Sequence, residues 1–367
     1  MFFTRQKHIS TKELIDQHIK VLRHLQYKSG LFAASNKGVS TGYDKSWLRD
    51  NFYECLGFQA IDDWDTIEHT MNAIMKIMEK HEYKIDHAIA KKPEHKHEYI
   101  HARFHPDKFD EFWEDWGNKQ NDSIGAILFL IGELDHRDRG FLKPEPHRRL
   151  VQKLVQYLAS LQYWHDPDSG MWEENEEVHA SSVGACVAGL RSVKRAGIVV
   201  PDLLIEKGEE SLQKLLPRES NTKFVDLALL SLIWPYNVVT LEQRKVILTN
   251  VEYHLLRDHG VIRYKGDHYY NKNPDGYSEE AEWCFGLSWL ALIYEEMGDK
   301  QKAHMYVRLM LRTVNDKGEV PELYFSNSHH WNENTPLGWA ESLFVLALYH
   351  LGEKRISVSV NEKKRKS

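Results

Sequence analysis

The sequence predicts an all-α fold in which helices pack against helices. Apolar residues recur at the three- and four-residue spacing of amphipathic helices along most of the chain. Period-two alternation, which is typical of half-buried strands, is rare. Strand and helix patterns do not alternate in the rhythm of a β/α barrel or a Rossmann sheet, which disfavours both folds. Counting the periodic stretches predicts about ten to twelve helices joined by loops of mixed length.

The individual elements follow from these patterns. Helical spacing is clearest in residues 14–25, 67–78, 150–161, 183–193, 246–256, 284–297 and 337–351. Alternation is found instead in Tyr83–Ile89 and in Tyr99–Arg103, with Pro93 between them. We therefore expect a small β-hairpin to be inserted among the helices.

Length and composition indicate one folded domain. Of the 367 residues, 42% are hydrophobic, which is enough for a sizeable core. We find no linker in the sequence and expect a single domain over residues 1–367. Its helical body is expected at about residues 10–353, followed by a polar tail at 354–367.

Charge and cysteine content exclude several classes of protein. The net charge is −6, and the one basic run, Lys363–Lys366, is typical of a solvated tail, so nucleic acid is not an expected partner. Cys55, Cys186 and Cys284 lie too far apart for a disulfide framework or a zinc motif, and no metal is expected. The sequence shows neither a signal-peptide pattern nor an apolar stretch of membrane-spanning length. A cytoplasmic protein without a membrane partner is expected.

Two acidic segments place carboxyl groups where their surroundings can shift the pKa. Glu173 and Glu174 adjoin Trp172, so charge conflict and desolvation can keep one of them protonated near neutral pH. Glu322 lies among apolar residues after Pro321. Glycoside hydrolysis requires a pair of catalytic carboxyl groups. Taken singly, however, the first segment also suits an acidic helix start near residues 175–176, and the second an ordinary loop.

Three further segments combine aromatic rings with charged or amide groups, as sugar sites do. They are Trp47 with Arg49 and Asp50, Trp116 with Gln120 and Asp122, and Arg263 with Tyr264 leading to Trp283. The first two have a simpler explanation as well. The first suits an Arg–Asp pair at a helix start, and Asp122 suits a helix N-cap.

In order and spacing, these segments together resemble glycoside hydrolase family 15, the glucoamylase-like enzymes. Trp47-Leu48-Arg49-Asp50 is similar to the family motif Trp-x-Arg-Asp, and Trp116 to Asp122 is similar to Trp-Gly-x-x-Gln-x-Asp. Trp172-Glu173-Glu174 matches Trp-Glu-Glu, and Arg263 to Tyr270 resembles Arg-Tyr-x-x-Asp-x-Tyr-Tyr. Pro321-Glu322, with Trp339 downstream, resembles the segment that bears the catalytic base in bacterial members. The likeness extends from about Gly42 to Leu351.

The resemblance implies an (α/α)6 barrel with Glu173 as general acid and Glu322 as general base. It implies a substrate site formed by Trp47, Arg49, Asp50, Trp116, Gln120, Asp122, Glu174, Arg263, Tyr264, Trp283 and Trp339. The expected reaction is inverting, exo-acting release of β-glucose from α-1,4- or α-1,6-linked gluco-oligosaccharides, without a metal or organic cofactor. No starch-binding module is part of the resemblance, so raw starch is not the expected substrate. Lys119, beside the Trp116 platform, is expected to affect the preferred leaving group.

Alternatives remain beside this interpretation. Gly42-Tyr43-Asp44-Lys45 is also similar to the glucoamylase-like domain of phosphorylase kinase α and β subunits, which favours a carbohydrate-sensing or regulatory module. A helical-barrel epimerase or unsaturated-glucuronide hydrolase is a second alternative, and His97, His101 and His105 are spaced by four. However, Pro106 and the alternating pattern predict a strand here, which would separate these histidines. His179 and His329-His330 lie near the acid and the base in sequence. For the base, Glu279, Glu280 and Glu282 compete with Glu322.

Overall fold

The computed structural model describes residues 3–114, 116–272, 279–352 and 355–362, and only the backbone of 3–9 and 355–362. This part of the chain contains twelve α-helices, as the periodicity predicted. In chain order they are α1 (Thr11–Leu25), α2 (Leu48–Ala60), α3 (Trp64–Lys80), α4 (Glu82–Ala90), α5 (Asn121–His136), α6 (Glu145–Leu161), α7 (Ala180–Arg195), α8 (Asp202–Leu215), α9 (Leu241–His254), α10 (Phe285–Glu296), α11 (Lys300–Met310) and α12 (Gly338–Leu351).

Six elements form a closed inner ring. These are α2, α5, α7, the 3₁₀ segment Leu227–Leu232, α10 and α12, and each packs against the next. The ring closes because α12 packs back onto α2, where Ser342 Oγ donates to the carbonyl of Tyr53. Nearly every residue of these elements is buried. A helix without a polar face must be enclosed on all sides, which places these elements inside.

The outer layer consists of amphipathic helices. α1, α3, α6, α8, α9 and α11 each pack against the inner ring. In α1 the buried residues recur at helical spacing from Leu14 to Leu25, and the opposite face is exposed. α4 is an additional short helix packed on α6. Six inner elements and six outer helices make an (α/α)6 barrel, so the expected fold is confirmed.

Small antiparallel sheets are present, but the hairpin was predicted in the wrong place. Residues 82–90 form α4, in which Lys84, Ile85 and Ala88 are buried and Tyr83 is exposed. A few alternating residues cover little more than two helical turns, so period two was an ambiguous signal there. The strands β2 (Ser46–Trp47) and β3 (Arg103–Phe104) pair with each other. β4 (Glu282–Trp283) and β5 (Leu323–Tyr324) form the second such pair.

A third sheet joins the two ends of the described chain. β1 (Phe3–Ser10) pairs antiparallel with β6 (Arg355–Glu362), so part of the expected polar tail is a strand. The basic run at 363–366 lies outside the described residues. Because a single ring organises the described helices, we propose that the chain forms one domain. None of these helices is long and apolar enough to cross a membrane.

Candidate active site

One end of the barrel carries a pocket built from the segments that enter the inner helices. Arg49 and Asp50 lie in the first turn of α2, Trp283 precedes α10, and Trp339 lies in the first turn of α12. The pocket contains about 460 Å³ of empty space, which includes the solvent at its open end. It is lined by Ala34, Tyr43, Trp47, Arg49, Asp50, Met171, Trp172, Glu173, Arg263, Trp283, Glu322, Leu337 and Trp339. The fold thus brings eight of the site residues expected from sequence to one cavity.

Glu173 is held by the other motifs of the sequence. Its Oε2 accepts a hydrogen bond from Trp116 Nε1 at 2.5 Å, and its Oε1 accepts one from Gln120 Nε2 at 2.7 Å. Arg49 lies 3.5 Å from Oε1. A Cβ on Gly117 would lie 2.4 Å from the Glu173 carbonyl oxygen, so only glycine permits this close approach. The Glu173 carboxyl is therefore fixed in orientation at the edge of the pocket.

Glu174 has a different environment although it is adjacent in sequence. It accepts hydrogen bonds from Arg263 at 2.9 Å, Tyr264 at 2.6 Å and Lys223 at 2.9 Å. Burial favours the neutral acid, but Arg263 and Lys223 outweigh it and lower the pKa of Glu174. Glu174 is therefore ionised and orients Arg263, which Asp267 also binds through two hydrogen bonds.

Glu322 is buried beside the second small sheet. Its backbone carbonyl accepts a hydrogen bond from Cys284 N, next to β4. Its Oε2 accepts hydrogen bonds from the side-chain amides of Asn332 and, at 2.8 Å, Asn334. Burial raises the pKa of Glu322 to about 6, although these two amides favour its charged form. The carboxyl group is therefore poised to exchange a proton near neutral pH.

The three acids that compete with Glu322 in sequence do not line this pocket. Glu279 accepts from Ser326 Oγ at 2.8 Å, Glu280 from Gly266 N at 2.8 Å, and Glu282 from His259 N at 2.7 Å. These contacts support loops around the pocket. Among the described carboxyl groups, Glu173, Glu322 and Asp50 are the ones that line it.

Arg49 and Asp50 form the charged part of the pocket floor. Arg49 donates to Gln120 at 2.8 Å and to Asp122 at 3.0 Å. Asp122 lies inside α5 and Gln120 is the N-cap residue, so the N-cap interpretation of Asp122 was wrong. Burial raises the pKa of Asp50 to about 7, although Arg49 opposes the shift.

Tryptophan rings form the apolar walls of the pocket. Trp339 stacks on Phe285 with 4.6 Å between ring centroids and on Tyr53 with 4.1 Å. Trp172 lies 5.7 Å from Trp283, and the Arg263 guanidinium lies about 5 Å from both rings. The aromatic faces are packed against a rigid core, as in sites that bind sugar rings.

Comparison with known proteins identifies the family. Residues 12–201 match the family model described as Glycosyl hydrolases family 15. The chain belongs to this family. A solved glycosidase variant in complex with glucose superposes with a TM-score of 0.80 at 20% identity, covering 93% of this chain and 97% of that one.

Two curated relatives of the chain have different names. A probable phosphorylase b kinase regulatory subunit alpha from Caenorhabditis elegans is 25% identical, covering 82% of this chain and 30% of that protein. An uncharacterized glycosyl hydrolase from Methanocaldococcus jannaschii is 24% identical, covering 63% of this chain and 42% of that protein. The chain spans less than half the length of either relative.

Five family 15 motif residues support the pocket from outside its lining. Trp116 and Gln120 bind Glu173, Asp122 binds Arg49, and Glu174 binds Arg263 and Tyr264. The sequence interpretation had assigned these residues to the substrate. In the structure they bind residues that line the cavity or, for Tyr264, a residue next to them, and their contact with substrate stays a prediction.

Several predicted features around the family 15 pocket differ in the structure. α7 begins at Ala180 rather than near 175–176, because Asp168 and Glu177 pair as a β-bridge and keep the segment extended. Lys119 binds Asp166 at 3.3 Å, away from the pocket. Of the expected strand at Tyr99–Arg103, only Arg103 lies in a strand, β3 (Arg103–Phe104), and the described residues contain no cluster suited to a metal ion.

The other histidines near the acid and the base in sequence also lie outside the lining. His179 lies 3.5 Å from Glu219, and His329 contacts His259 at 3.0 Å. Sequence reasoning missed Asn332 and Asn334. Both amides converge on Glu322 from the loop before α12, which bends at residues 333–334, so no regular spacing in the sequence signalled them.

Proposed function

We propose that the protein is an exo-acting inverting α-glucoside hydrolase that releases β-glucose from α-linked gluco-oligosaccharides. One observation carries this proposal. Glu173 and Glu322 line the same cavity, and each is oriented by its own set of hydrogen-bond donors. A single displacement needs two carboxyl groups on opposite faces of the sugar, about 6.5–9.5 Å apart, with room for water.

Glu173 serves as the general acid. It transfers its proton to the glycosidic oxygen as the bond to the anomeric carbon breaks. Trp116 and Gln120 hold its carboxyl group toward the leaving group. Glu174 cannot replace it, since Arg263 and Lys223 keep that neighbour ionised.

Glu322 serves as the general base. Both asparagine amides bind its Oε2, and the Tyr269 hydroxyl lies 3.4 Å from Oε1 and 3.5 Å from Oε2. Oε1, which neither amide binds, is the oxygen that takes the proton from the attacking water. The hydroxyl groups of Tyr43 and Tyr269 are 2.8 Å apart and lie beside the Glu322 carboxyl group, where they can orient the attacking water.

The remaining lining holds the glucose unit. Arg49, Asp50 and Arg263 provide directional hydrogen bonds for its hydroxyl groups, and Trp47, Trp283 and Trp339 cover its apolar faces. The solved glycosidase variant in complex with glucose supports a glucose-sized ligand. The lining therefore contains an acid, a base and the side chains that hold the sugar.

The deciding experiment is proton NMR of anomeric signals during incubation with α-1,4- and α-1,6-linked gluco-oligosaccharides. We expect β-glucose to appear first and the α anomer to follow only by mutarotation. α-Glucose as the first product would overturn the inverting mechanism. The linkage that reacts fastest identifies the substrate series.

The phosphorylase kinase relatives favour a second candidate, a module that binds an oligosaccharide without turnover. Calorimetric binding of an oligosaccharide that shows no product in the NMR assay would establish it. The paired carboxyl groups in one cavity favour hydrolysis, because a binding module has no need of a base with a raised pKa.

Activity is expected to fall with acidification as Glu322 becomes protonated. The base works only when ionised, so kcat/KM should decline about tenfold per pH unit below pH ~6. Asn334→Ala removes a hydrogen-bond donor that stabilises the ionised Glu322 carboxyl group. The acidic limb of the kcat/KM profile should therefore move to higher pH by about one unit. The exposed Asn221→Ala is the control. If the acidic limb of the profile is unchanged in the Asn334 variant, the group whose ionisation controls activity is not Glu322.

A further inference from the structure

The first turn of α12 contains a buried acid, Glu341, that does not line the active-site pocket. A buried carboxyl group is costly unless its oxygens find hydrogen-bond partners. Glu341 finds them in two distant segments of the chain. Its Oε1 accepts from Val320 N at 2.7 Å, and its Oε2 lies 2.5 Å from His18 Nδ1 on α1. The acid therefore joins α12 both to α1 and to the segment that precedes Glu322.

The contact with Val320 lies two residues before the proposed base. Both backbone polar groups of this buried residue bond to the start of α12: its N–H donates to Glu341, and its carbonyl accepts from Leu337 N at 3.1 Å. Pro321 follows, and its ring restricts the backbone on both sides of the Val320–Pro321 bond. A shift of Val320 is therefore passed on to Glu322.

The other side of Glu322 is fixed independently of Glu341. Cys284 N donates to the Glu322 carbonyl at 3.1 Å, and β5 begins at the next residue, Leu323. The two asparagine amides bind the carboxyl group itself. These contacts remain when Glu341 is replaced, so the expected result is a displaced base in a folded protein.

His18 orients the Glu341 carboxyl group. The imidazole is fully buried, and its ring lies 4.3 Å from the ring of Phe344, about one turn further along α12. Packing against Phe344 limits rotation of the imidazole and keeps Nδ1 at Oε2. One proton between these two atoms serves both of them, which leaves Oε1 to accept from Val320 N. Through two side chains, an outer helix thus acts on the backbone that carries the base.

We propose that Glu341 and His18 are positioning residues that hold Glu322 at its working distance from the anomeric carbon. Both lie outside the pocket lining and act through the backbone of residues 320–322. The inference rests on the proposed base catalysis by Glu322. Replacing Glu341 should lower kcat by about 10- to 100-fold, the loss expected for a displacement of about 1 Å. KM should change little, because the groups that hold the sugar keep their places.

Glu341→Met tests the proposal, because methionine fills a similar volume without offering an acceptor to Val320 N. kcat on the preferred oligosaccharide is measured for wild type, Glu341→Met, Glu322→Gln and the double variant. If Glu341 acts through Glu322, its replacement should cost less than about twofold in the Glu322→Gln background. The same loss in both backgrounds would reject the positioning role.

Ser342→Ala is the matched control in the same helix. It removes a fully buried hydroxyl group that donates to the Tyr53 carbonyl, and it leaves the contact with Val320 in place. Its kcat should stay within about twofold of wild type. A drop as large as that of Glu341→Met would show that any loosening of α12 has this effect, which would also reject the proposal.

Two changes at His18 test the second positioning residue. His18→Asn keeps a donor near the position of Nδ1, whereas His18→Leu does not. The leucine change should lower kcat and the asparagine change should restore most of it, whereas equal values would overturn the role of His18. If Glu341→Met does not fold, His18→Leu takes its place in the comparison of the four proteins.

Hydrogen exchange distinguishes a failure of this inference from a failure of the proposed function. The Val320 amide should exchange faster in Glu341→Met than in wild type or Ser342→Ala, whether or not any glucoside is hydrolysed. Mass spectrometry of peptides that span residues 315–325 measures this rate. Absence of turnover in wild type would overturn the hydrolysis, whereas unchanged exchange at Val320 would overturn the positioning role.

Discussion

Glu173→Gln is expected to lower kcat on oligosaccharides by about 10²–10⁴-fold, because the amide cannot donate the proton that the leaving oxygen needs. Its side chain can still accept the hydrogen bond that Trp116 now donates. The fold should therefore persist, which near-ultraviolet circular dichroism and the melting temperature can check. Steady-state kinetics on the preferred substrate series measures the loss.

α-Glucosyl fluoride separates acid catalysis from general damage. Fluoride leaves without being protonated, so the Glu173 variant should retain far more of its activity on this substrate than on oligosaccharides. An equal loss on both substrates would show that Glu173 does not act as the acid. Glu280→Gln is the matched control, since Glu280 lies outside the pocket lining and its amide can still accept from Gly266 N.

Glu322→Gln is expected to lower kcat by about 10²–10⁴-fold on both substrate types. Water must lose a proton during attack whatever the leaving group is, so a fluoride leaving group does not restore the rate. The Asn332 and Asn334 amides can still bind the side-chain oxygen, which limits any structural change. The same kinetic assays with both substrates provide the measurement.

The two variants together form a stringent test. The Glu173 change should be relieved by the activated substrate and the Glu322 change should not. If Glu322→Gln keeps normal activity on α-glucosyl fluoride, another group must activate the water. The raised pKa of Asp50, which also lines the pocket, makes Asp50→Asn the next variant to examine.

Much of the fold was predictable because hydrophobic periodicity is a local property. The stretches 14–25 and 150–161 lie within α1 and α6, and the stretch 337–351 matches α12 to within one residue. The beginning of α7 was not predictable in this way. The bridge between Asp168 and Glu177 and the Asp168 hydrogen bond from Asn121 N are set by tertiary structure.

Residue types predicted the candidate site as a set, whereas its division of roles was expected only from the family resemblance. By residue type Glu173 and Glu174 are equivalent, and in the structure their partners distinguish them. Arg263, Tyr264 and Lys223 converge on Glu174 from other segments. No local pattern indicates which of two adjacent acids will meet a buried cation, because that depends on the ring closing around them.

Closure of the ring by α12 against α2 also has a consequence for the order of assembly. Arg49 and Asp50 come from the first inner helix and Trp339 from the last, yet they line one pocket. A growing polypeptide can form early helical pairs as it is synthesised, but the pocket cannot exist until the final helix docks. Contacts of such long sequence separation form late and slowly. The nascent chain should therefore acquire affinity for its ligand in one step, at the very end of folding.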